Sequence, residues 1–259
     1  MTDILVVDFV KGLLIFLRIS GVMFSAPVFS NSSIPTTAKI FFSIILAYII
    51  FFTVGDFQYD PSTQNLIPLI LLGVKEVITG VLIGFMLNFI FYGFSYAGLL
   101  VGYDMGLAMA QMFDPTTESN TNIMGQTMLI MATLIFLIIN GHHYLIRGLV
   151  YSFSIVPIGT FKMSQGLMDA IIRFSAGIFV LAVKIASPIM VSFFLLHLGS
   201  GIVARVMPQM NIFFVVQPLK SSLGLALLIT LTPVYVYLIR NLLMAYEDKL
   251  LELIKAISG

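Results

Sequence analysis

The chain contains no cysteine and no tryptophan among its 259 residues. The absence of cysteine excludes disulfides, thiolate metal sites and catalysis by a thiol. Without tryptophan, an aromatic belt at a membrane surface must use the ten tyrosines. Two of the three histidines, His142 and His143, are neighbours, and on a helix their side chains point about 100° apart, which does not make a metal pair. We therefore predict no metal and no cofactor.

Charged residues are scarce as well. Only 10% of the residues are charged and 59% are hydrophobic, whereas a typical soluble domain has about 25% charged and about 45–50% apolar residues. The net charge of +1 provides no basic patch of the kind that binds nucleic acid. A mean hydropathy of +1.06 indicates an integral membrane protein. Asp3 and Asp8 precede Lys11, which is not typical of a cleavable signal peptide, so we expect insertion through internal segments.

Long uncharged segments indicate how the chain crosses the membrane. A helix needs about 20 apolar residues to cross about 30 Å of hydrocarbon, and a barrel would instead show alternating segments of about 10 residues. The uncharged segments of helical length are 77–103, 119–146, 185–204 and 221–239. We predict an all-α protein of kinked helical hairpins with about six hydrophobic passes. We expect a break near the middle of a helical region at 66–112, kinks at Pro188 and Pro233, and a loop at 204–218.

Three charged residues of the first apolar segment, Asp8, Lys11 and Arg18, share one helical face. Such a face should meet protein or water, because charges are costly in hydrocarbon. For Asp8 and Lys11 a solvated helix start is an equally good interpretation. Arg18 lies deeper in the segment and is predicted to be paired inside the protein.

Two groups of glycines favour close packing of helices. The groups are Gly73, Gly80 and Gly84, followed by Gly98, Gly102 and Gly106. Spacings of four and seven residues place each group along one side of a helix, where another backbone can approach closely. Glycine is common in membrane helices, so a single pair would carry little weight, but two groups favour packing.

The most polar segment of the chain, 114–122, lies between two very apolar segments. Methionines flank it at helical spacing. They are Met105, Met109 and Met112, followed by Phe113, on one side and Met124, Met128 and Met131 on the other. The flexible methionine side chain suits surfaces that must repack around different partners. The pattern is compatible with ordinary core packing and, alternatively, with a compliant seal.

The end of the chain has an amphipathic pattern. Its apolar positions repeat at intervals of three and four residues: Leu243, Tyr246, Leu250, Leu253 and Ile257. The pattern predicts a helix that leaves the apolar zone and meets either another helix or the membrane surface.

No motif of a known enzyme class is present in the sequence, neither HExxH nor GxSxG nor a P-loop nor paired carboxylates. We predict that the protein is not an enzyme. Glu76, next to Lys75, is as compatible with an ion pair as with a functional group. A secondary transporter of small solutes or ions stays open as the alternative, because Glu76 and Asp104 could carry ions and broken helices could form a substrate site.

Short motifs are spread along almost the whole chain, and they contain Arg18, Pro27, Pro35, Glu76, Gly80, Gly84, Gly98, Gly102, Met105, Gly106, Asp114, Pro115, Asn140, Gly141, His142, Pro208, Gln209, Asn211 and Lys220. In these residues and their order, the chain resembles the FliR family, the flagellar biosynthesis export-gate proteins. One residue departs from the family's pattern, since Val216 stands where glycine is frequent. The Asn-Gly-His and Pro-Ile-Gly elements are more similar to the flagellar branch than to the virulence-injectisome relatives.

The resemblance implies a structural channel subunit of the flagellar type III protein export gate. Such a subunit helps to form and seal the entrance through which unfolded flagellar proteins are exported. The implied partners are FliP-family and FliQ-family subunits and other membrane proteins of the export apparatus, in the basal body at the bacterial inner membrane. The implied parts are a FliP-like region at 1–169 and a FliQ-like helical hairpin at 170–259. The resemblance places a plug loop at 105–122, whose sealing residues would be Met105, Gly106, Met109, Met112, Phe113, Asp114 and Pro115.

Overall fold

The computed structural model describes residues 2–55, 66–107, 122–209 and 211–258. These residues form seven helices: α1 (Thr2–Ser25), α2 (Thr36–Phe51), α3 (Leu66–Asp104), α4 (Ile123–Ile138), α5 (Gly141–Ile155), α6 (Gln165–Val206) and α7 (Ile212–Ser258). The described ranges contain no strand. The predicted all-α class is confirmed.

Length and composition decide which helices can cross a membrane. Within the described part of the chain, three stretches qualify, Leu66–Asp104, Gln165–Val206 and Phe214–Leu250, and α4 and α5 together would make a fourth. The apolar helix α2 has only 16 residues, fewer than the roughly 20 that a crossing needs. The described residues therefore do not confirm about six passes, because some of the apolar segments are too short to cross on their own.

Helix α3 is continuous over 39 residues, which corresponds to about 58 Å at 1.5 Å per residue. The predicted break near the middle of 66–112 is wrong. Pro68 lies in the first turn, where a proline is tolerated, and no proline follows it within the helix. The glycines of α3 do not interrupt it, since in an apolar environment the backbone keeps its helical hydrogen bonds.

Helices α6 and α7 contain prolines in their interior, Pro188 in α6 and Pro218 and Pro233 in α7. The loop expected at 204–218 is shorter, since α6 ends at Val206 and α7 begins at Ile212. Proline and polar residues made the first turns of α7 look like a loop. In these turns, Gln217 Nε2 donates a hydrogen bond to the carbonyl oxygen of Met105, and local composition does not reveal such a contact.

The chain divides into two compact units. The first unit consists of Met1–Phe89, Asn140–Phe174 and Leu243–Gly259, and the second of Ile90–Ile139 and Ser175–Leu242. Fully buried side chains of α1 belong to the core of the first unit: Leu14, Ile15, Ile19 and Val22. Ring contacts mark the core of the second unit, where Phe94 meets Tyr235 edge to face with 5.8 Å between the ring centres. The predicted boundary at residue 169 separates a FliP-like part from a FliQ-like part. It concerns similarity to other proteins and not the compactness of the fold, so it stays a prediction.

The amphipathic end of α7 packs against other helices of the first unit. Its stripe residues Leu243, Tyr246, Leu250 and Leu253 are all buried. The hydroxyl of Tyr246 donates a hydrogen bond to the carbonyl oxygen of Ile83 at 3.1 Å. The side chain of Ile257 lies outside the described residues. Of the two predicted alternatives, contact with other helices applies to the described part of the stripe.

Candidate functional site

A fully buried ion pair joins α1 to α3 in the first unit. Arg18 Nε lies 2.6 Å from Glu76 Oε2, and neither side chain is exposed. The guanidinium of Arg18 also lies over the ring of Phe153, 4.2 Å from the ring centre. Removing either partner from such a pair leaves a buried charge without compensation, so each member depends on the other.

Groups from α5 and the turn after it complete this site. Arg18 Nη1 donates hydrogen bonds to the carbonyl oxygens of Ser152 and Val156, at 3.2 and 3.0 Å, and to the Ser152 hydroxyl at 3.3 Å. Glu76 Oε1 accepts a hydrogen bond from the backbone N–H of Gly159 at 2.8 Å. Among the described residues, Arg18 Nη2 has no hydrogen-bond acceptor. The ion pair therefore ties together α1, α3 and the end of α5.

The ion pair decides the role that the sequence left open for Glu76. Its partner is Arg18, 58 residues away, whereas the ammonium group of Lys75 lies 3.4 Å from the carbonyl oxygen of Gly159. The Glu76 carboxylate is held by Arg18 Nε and by the Gly159 N–H, which supports the ion-pair interpretation. Asp104, the other acidic residue of the transporter alternative, is half-buried at the end of α3.

The backbones of α1 and α3 come into contact beside the ion pair. A Cβ atom added at Gly21 would lie 2.6 Å from the carbonyl oxygen of Val77, and one at Gly80 would lie 2.9 Å from the carbonyl carbon of Arg18. Gly84 makes the same kind of approach to the end of α1. Real Cβ atoms essentially never come closer than 3.0 Å, so glycine is required at this crossing.

Two glycines of the second group, Gly98 and Gly102, lie against the start of α4 in the second unit, whereas Gly106 lies beyond the end of α3 and against Gln217. A Cβ atom at Gly98 would lie 2.5 Å from the carbonyl oxygen of Met124 and 2.7 Å from the Cα of Gly125. A Cβ atom at Gly102 would lie 2.9 Å from Oδ1 of Asn122. Asn122 is the N-cap of α4, and its side chain accepts a hydrogen bond from the Gly125 N–H at 2.9 Å. The helix turns on both sides of the predicted plug loop are therefore in contact.

Only the two ends of the predicted plug loop, 105–107 and Asn122, belong to the described residues. Met105 is 1% exposed, and Gly106 has a φ of +71°, in the left-handed region. The other predicted sealing residues lie outside the described residues: Met109, Met112, Phe113, Asp114 and Pro115. In the second methionine trio, Met124 and Met128 are buried, which is ordinary core packing.

A sequence model of the family described as bacterial export proteins, family 1, matches residues 9–246. The chain belongs to this family. The flagellar biosynthetic protein FliR of Bacillus subtilis is 32% identical to it over 88% of both chains. The protein of the same name from Escherichia coli is 29% identical, covering 84% of this chain and 82% of its own length. That of Aquifex aeolicus is also 29% identical and covers 88% of both chains.

Several motif residues of this bacterial export protein lie at helix boundaries. Pro27 is buried just after α1, and Pro35 is the N-cap residue of α2. Asn140 has a φ of 58° and precedes α5, whose first residue, Gly141, is buried. The ring of His142 is half-buried next to the ring of His143, with 4.3 Å between their centres. Pro27, Pro35 and Asn140 lie in the turns between helices, whereas Gly141 and His142 are the first two residues of α5.

The last motif of the export protein surrounds the link between α6 and α7. Pro208, Gln209 and Asn211 are exposed in the described chain. Lys220 is half-buried, and its Nζ lies 2.5 Å from Nε2 of His197. Pro208, Gln209 and Asn211 therefore lie in the exposed link between the two long helices.

Sequence reasoning missed several residues that hold these helices together. Ser152 and Val156 contribute mainly backbone carbonyl groups to the Arg18 site, and backbone groups leave no trace in a sequence pattern. The contact at Gly21 could have been predicted from the sequence, since a small residue near a buried charge favours a close helix crossing. A hydrogen bond from Gln217 to another helix could also have been predicted, because a polar side chain within an apolar helix needs a hydrogen-bond partner.

Proposed function

We propose that the chain is a structural channel subunit of a bacterial flagellar protein export gate. The observation that carries the proposal is the match of residues 9–246 to a family of bacterial export proteins, with relatives named as flagellar biosynthetic proteins. The fold supports a structural role, because the buried charges of Arg18 and Glu76 hold helices together. The proposed location is the inner membrane of the cell, within the flagellar basal body.

Assembly with FliP-family and FliQ-family subunits, and with other membrane proteins of the export apparatus, is part of this proposal. Helix α2 leaves a broad apolar side uncovered. It contains Phe41, Ile44, Ile45, Tyr48 and Ile49, all exposed in the single chain. Such a surface needs lipid or the helices of a neighbouring subunit. Helices α6 and α7, joined by residues 207–211, make up most of the proposed FliQ-like part at 170–259, and the FliP-like part comprises 1–169.

The segment 105–122 is proposed as the seal of the closed channel. A closed export channel must stop ions and later let unfolded flagellar proteins of varied sequence through. Methionines and Phe113 offer an apolar constriction, and such a constriction blocks ions by dewetting without any charged group. Flexible methionine side chains also conform to changing cargo, which rigid β-branched side chains do not.

Membership of the gate is tested by purification and secretion. We expect the tagged chain to co-purify with small multi-pass membrane proteins of the FliP and FliQ families. Cells without the chain should secrete no flagellar proteins and should swim again when it is restored. A chain that is stable and active as a monomer would contradict the proposal.

The seal is tested by membrane conductance. Deletion of 106–122, or the joint change Met109→Ser, Met112→Ser and Phe113→Ser, should make cells leak small ions while the complex still assembles. The matched control changes three exposed methionines, Met163, Met168 and Met207, to serine. An assembled variant that stays ion-tight would place the seal in other subunits.

A further inference from the structure

An apolar groove lies between α1 and α2 in the first unit. It has a volume of about 340 Å³ and is open to the outside of the chain. Its walls are made by glycine, aliphatic and aromatic residues, chiefly Gly12, Phe16, Ile44, Tyr48, Phe51 and Phe52. Gly12 leaves room in the groove, since even an added Cβ atom would stay 3.8 Å from the ring of Phe51. Such a groove suits a hydrocarbon chain or an apolar side chain.

A second cavity lies next to the groove, at the end of α2. Phe51 and Phe52 line the groove, and the next two residues of the chain, Thr53 and Val54, line this cavity. The cavity has a volume of about 440 Å³, and α5 forms its other wall. Unlike the groove, it is lined by several polar side chains, those of Thr53, Arg147, Tyr151 and Ser154. An apolar groove and a polar cavity are therefore neighbours at the end of α2.

Positive charge lies where the groove and the cavity meet. The ammonium group of Lys11 lies 4.7 Å from the centre of the Phe51 ring and donates a hydrogen bond to the carbonyl oxygen of Val54 at 2.8 Å. Lys11 is buried, and it forms no ion pair within the described residues. Arg147 adds its guanidinium at the cavity, and none of the described residues that line the groove or the cavity is acidic. The charge at this site therefore favours an anion.

The end of α2 has the composition of a segment that reaches a membrane surface. Helix α2 is apolar, whereas the sequence from 56 to 65 is largely polar. Tyr48, which is 69% exposed, lies in the last turn of this helix. Tyrosine is enriched where the hydrocarbon meets the lipid headgroups. We therefore expect the groove at the level of the acyl chains and the cavity at the level of the headgroups.

Charge and polarity together select one kind of occupant. An apolar side chain of another subunit would fill the groove but would leave Lys11 without a counter-charge. An anionic phospholipid matches both parts, because its acyl chain is apolar and its phosphate accepts charge-assisted hydrogen bonds from lysine and arginine. Basic pockets between membrane helices bind the headgroups of such lipids.

We propose that the first unit binds one anionic phospholipid, with an acyl chain in the groove and the phosphate group in the cavity near Lys11 and Arg147. The inference goes beyond the export role and needs only that the chain lies in a membrane. The bound lipid covers part of the apolar side of α2 and connects this short helix to α1 and α5.

Photocrosslinking tests the site in the assembled complex. The complex is purified with the partner subunits that accompany the chain and is reconstituted in vesicles of phosphatidylcholine. These vesicles contain a small fraction of phosphatidylglycerol with a photoreactive group at the end of one acyl chain, and a phosphatidylcholine with the same group serves as the reference. Mass spectrometry identifies the crosslinked peptides. We expect the phosphatidylglycerol probe to react with groove residues of α1 and α2 in higher yield than the reference.

Competition distinguishes a lipid from a free phosphate. Excess unlabelled phosphatidylglycerol should suppress the crosslinks at the groove, whereas excess glycerol phosphate should not. Suppression by glycerol phosphate would show that the cavity binds a phosphate without the acyl chain and would overturn the lipid site.

Removal of both positive charges should weaken the preference for the anionic lipid. In the joint change Lys11→Gln and Arg147→Gln, glutamine keeps an N–H donor for the carbonyl group of Val54. The crosslinks from phosphatidylglycerol should fall about tenfold, the factor expected when a hydrogen bond to a charged group is lost. The matched control is Lys39→Gln with Arg205→Gln, which should match the parent. Lys39 is also buried and donates to a backbone carbonyl group, that of Asn31 at 3.0 Å, but it lies at the other end of α2.

A second variant closes the groove without a change of charge. Gly12→Leu places an isobutyl group among the groove residues and should abolish the crosslinks there, which keeps the test valid should the joint charge variant fail to assemble. Gly177→Leu is its control, because a Cβ atom at that position has nothing within 4 Å.

The outcomes separate this inference from the proposed function. Equal yields from the two probes, or a yield that the joint charge variant does not change, would overturn the anionic lipid. No lipid crosslink at the groove of the assembled complex would assign the groove to a neighbouring subunit and would also overturn it. Assembly and secretion of flagellar proteins are measured on the same variants. An assembled and secreting complex without the crosslinks would contradict the lipid site alone, whereas a chain that never joins a complex would contradict the proposed function.

Discussion

Arg18 and Glu76 are joined in two ways across the same pair of helices. Their side chains form an ion pair at 2.6 Å, and one turn beyond Glu76 the backbone of α3 reaches that of Arg18 at Gly80. The short glutamate side chain can reach a fully buried guanidinium because the helix backbones touch. The glycine crossing and the ion pair are therefore parts of one contact, and damage to either should weaken the other.

Arg18→Ala should lower the yield of assembled complex far more than Lys11→Ala. The first change leaves Glu76 buried without its counter-charge, which typically costs about 3–5 kcal/mol. Lys11 donates to the carbonyl oxygen of Val54 at 2.8 Å, and its removal leaves no charge behind. The measurement is the amount of complex after membrane extraction at matched expression. Equal and small effects of the two changes would contradict the buried pair.

The joint change Arg18→Met and Glu76→Leu should cost less than Arg18→Ala alone. Apolar side chains of similar volume need no counter-charge, and such replacements of buried ion pairs are often neutral. The thermal midpoint of the purified complex gives the comparison. A double variant less stable than the single one would mean that the hydrogen bonds to Ser152, Val156 and Gly159 matter more than the unpaired charge.

Gly80→Ala should destabilise the first unit by about 1–3 kcal/mol, because the new methyl group meets backbone atoms that cannot move aside. Gly199→Ala is the matched control, since a Cβ atom at that position has nothing within 4 Å. Resistance to proteolysis in detergent reports the difference. If both alanine variants resist equally, α1 and α3 are less closely packed than described.

Gly102→Leu should block assembly of the complex while membrane insertion stays intact. An isobutyl group at this position extends beyond a Cβ atom that already lies 3.1 Å from the Cβ of Met124, so it would push the start of α4 away from α3. Gly201→Leu is the control, in open space on α6. Insertion is followed by the amount of chain in the membrane fraction, and assembly by co-purification of partner subunits. Normal assembly of the Gly102 variant would remove the packing argument.

Tyr246→Phe should destabilise the first unit by about 1 kcal/mol, because it removes a buried hydrogen bond and leaves the Ile83 carbonyl without that donor. Tyr237→Phe is the matched control, at a tyrosine that is 68% exposed on the same helix. The thermal midpoints of the two variants are compared. A larger decrease of the thermal midpoint for Tyr237→Phe than for Tyr246→Phe would contradict the prediction, because the stabilising hydroxyl would then be the exposed one.

Local patterns predicted some elements well and others poorly. The stripe from Leu243 to Leu253 was read correctly as one side of a helix, because the repeat of an amphipathic helix is carried by neighbouring residues. The break expected in α3 is wrong, because a helix longer than one bilayer crossing is not interrupted for that reason alone. The loop expected at 204–218 is present but shorter, since α6 ends at Val206 and α7 begins at Ile212. In a helix surrounded by apolar groups, the backbone has no alternative partners and the helix continues.

The sequence by itself determined that this is a helical membrane protein of the bacterial export family, because composition and short motifs act locally and need no knowledge of the fold. It also indicated that Arg18 needed a partner, since a charge in an apolar segment is costly wherever the segment lies. Only the tertiary structure decided that the partner is Glu76, that Gly21 and Gly80 touch across two helices, and that Gln217 reaches Met105. Such choices depend on how residues far apart in the chain pack together. Many pairs of residues could satisfy the same local pattern, and the steric fit between the helices selects one of these pairs.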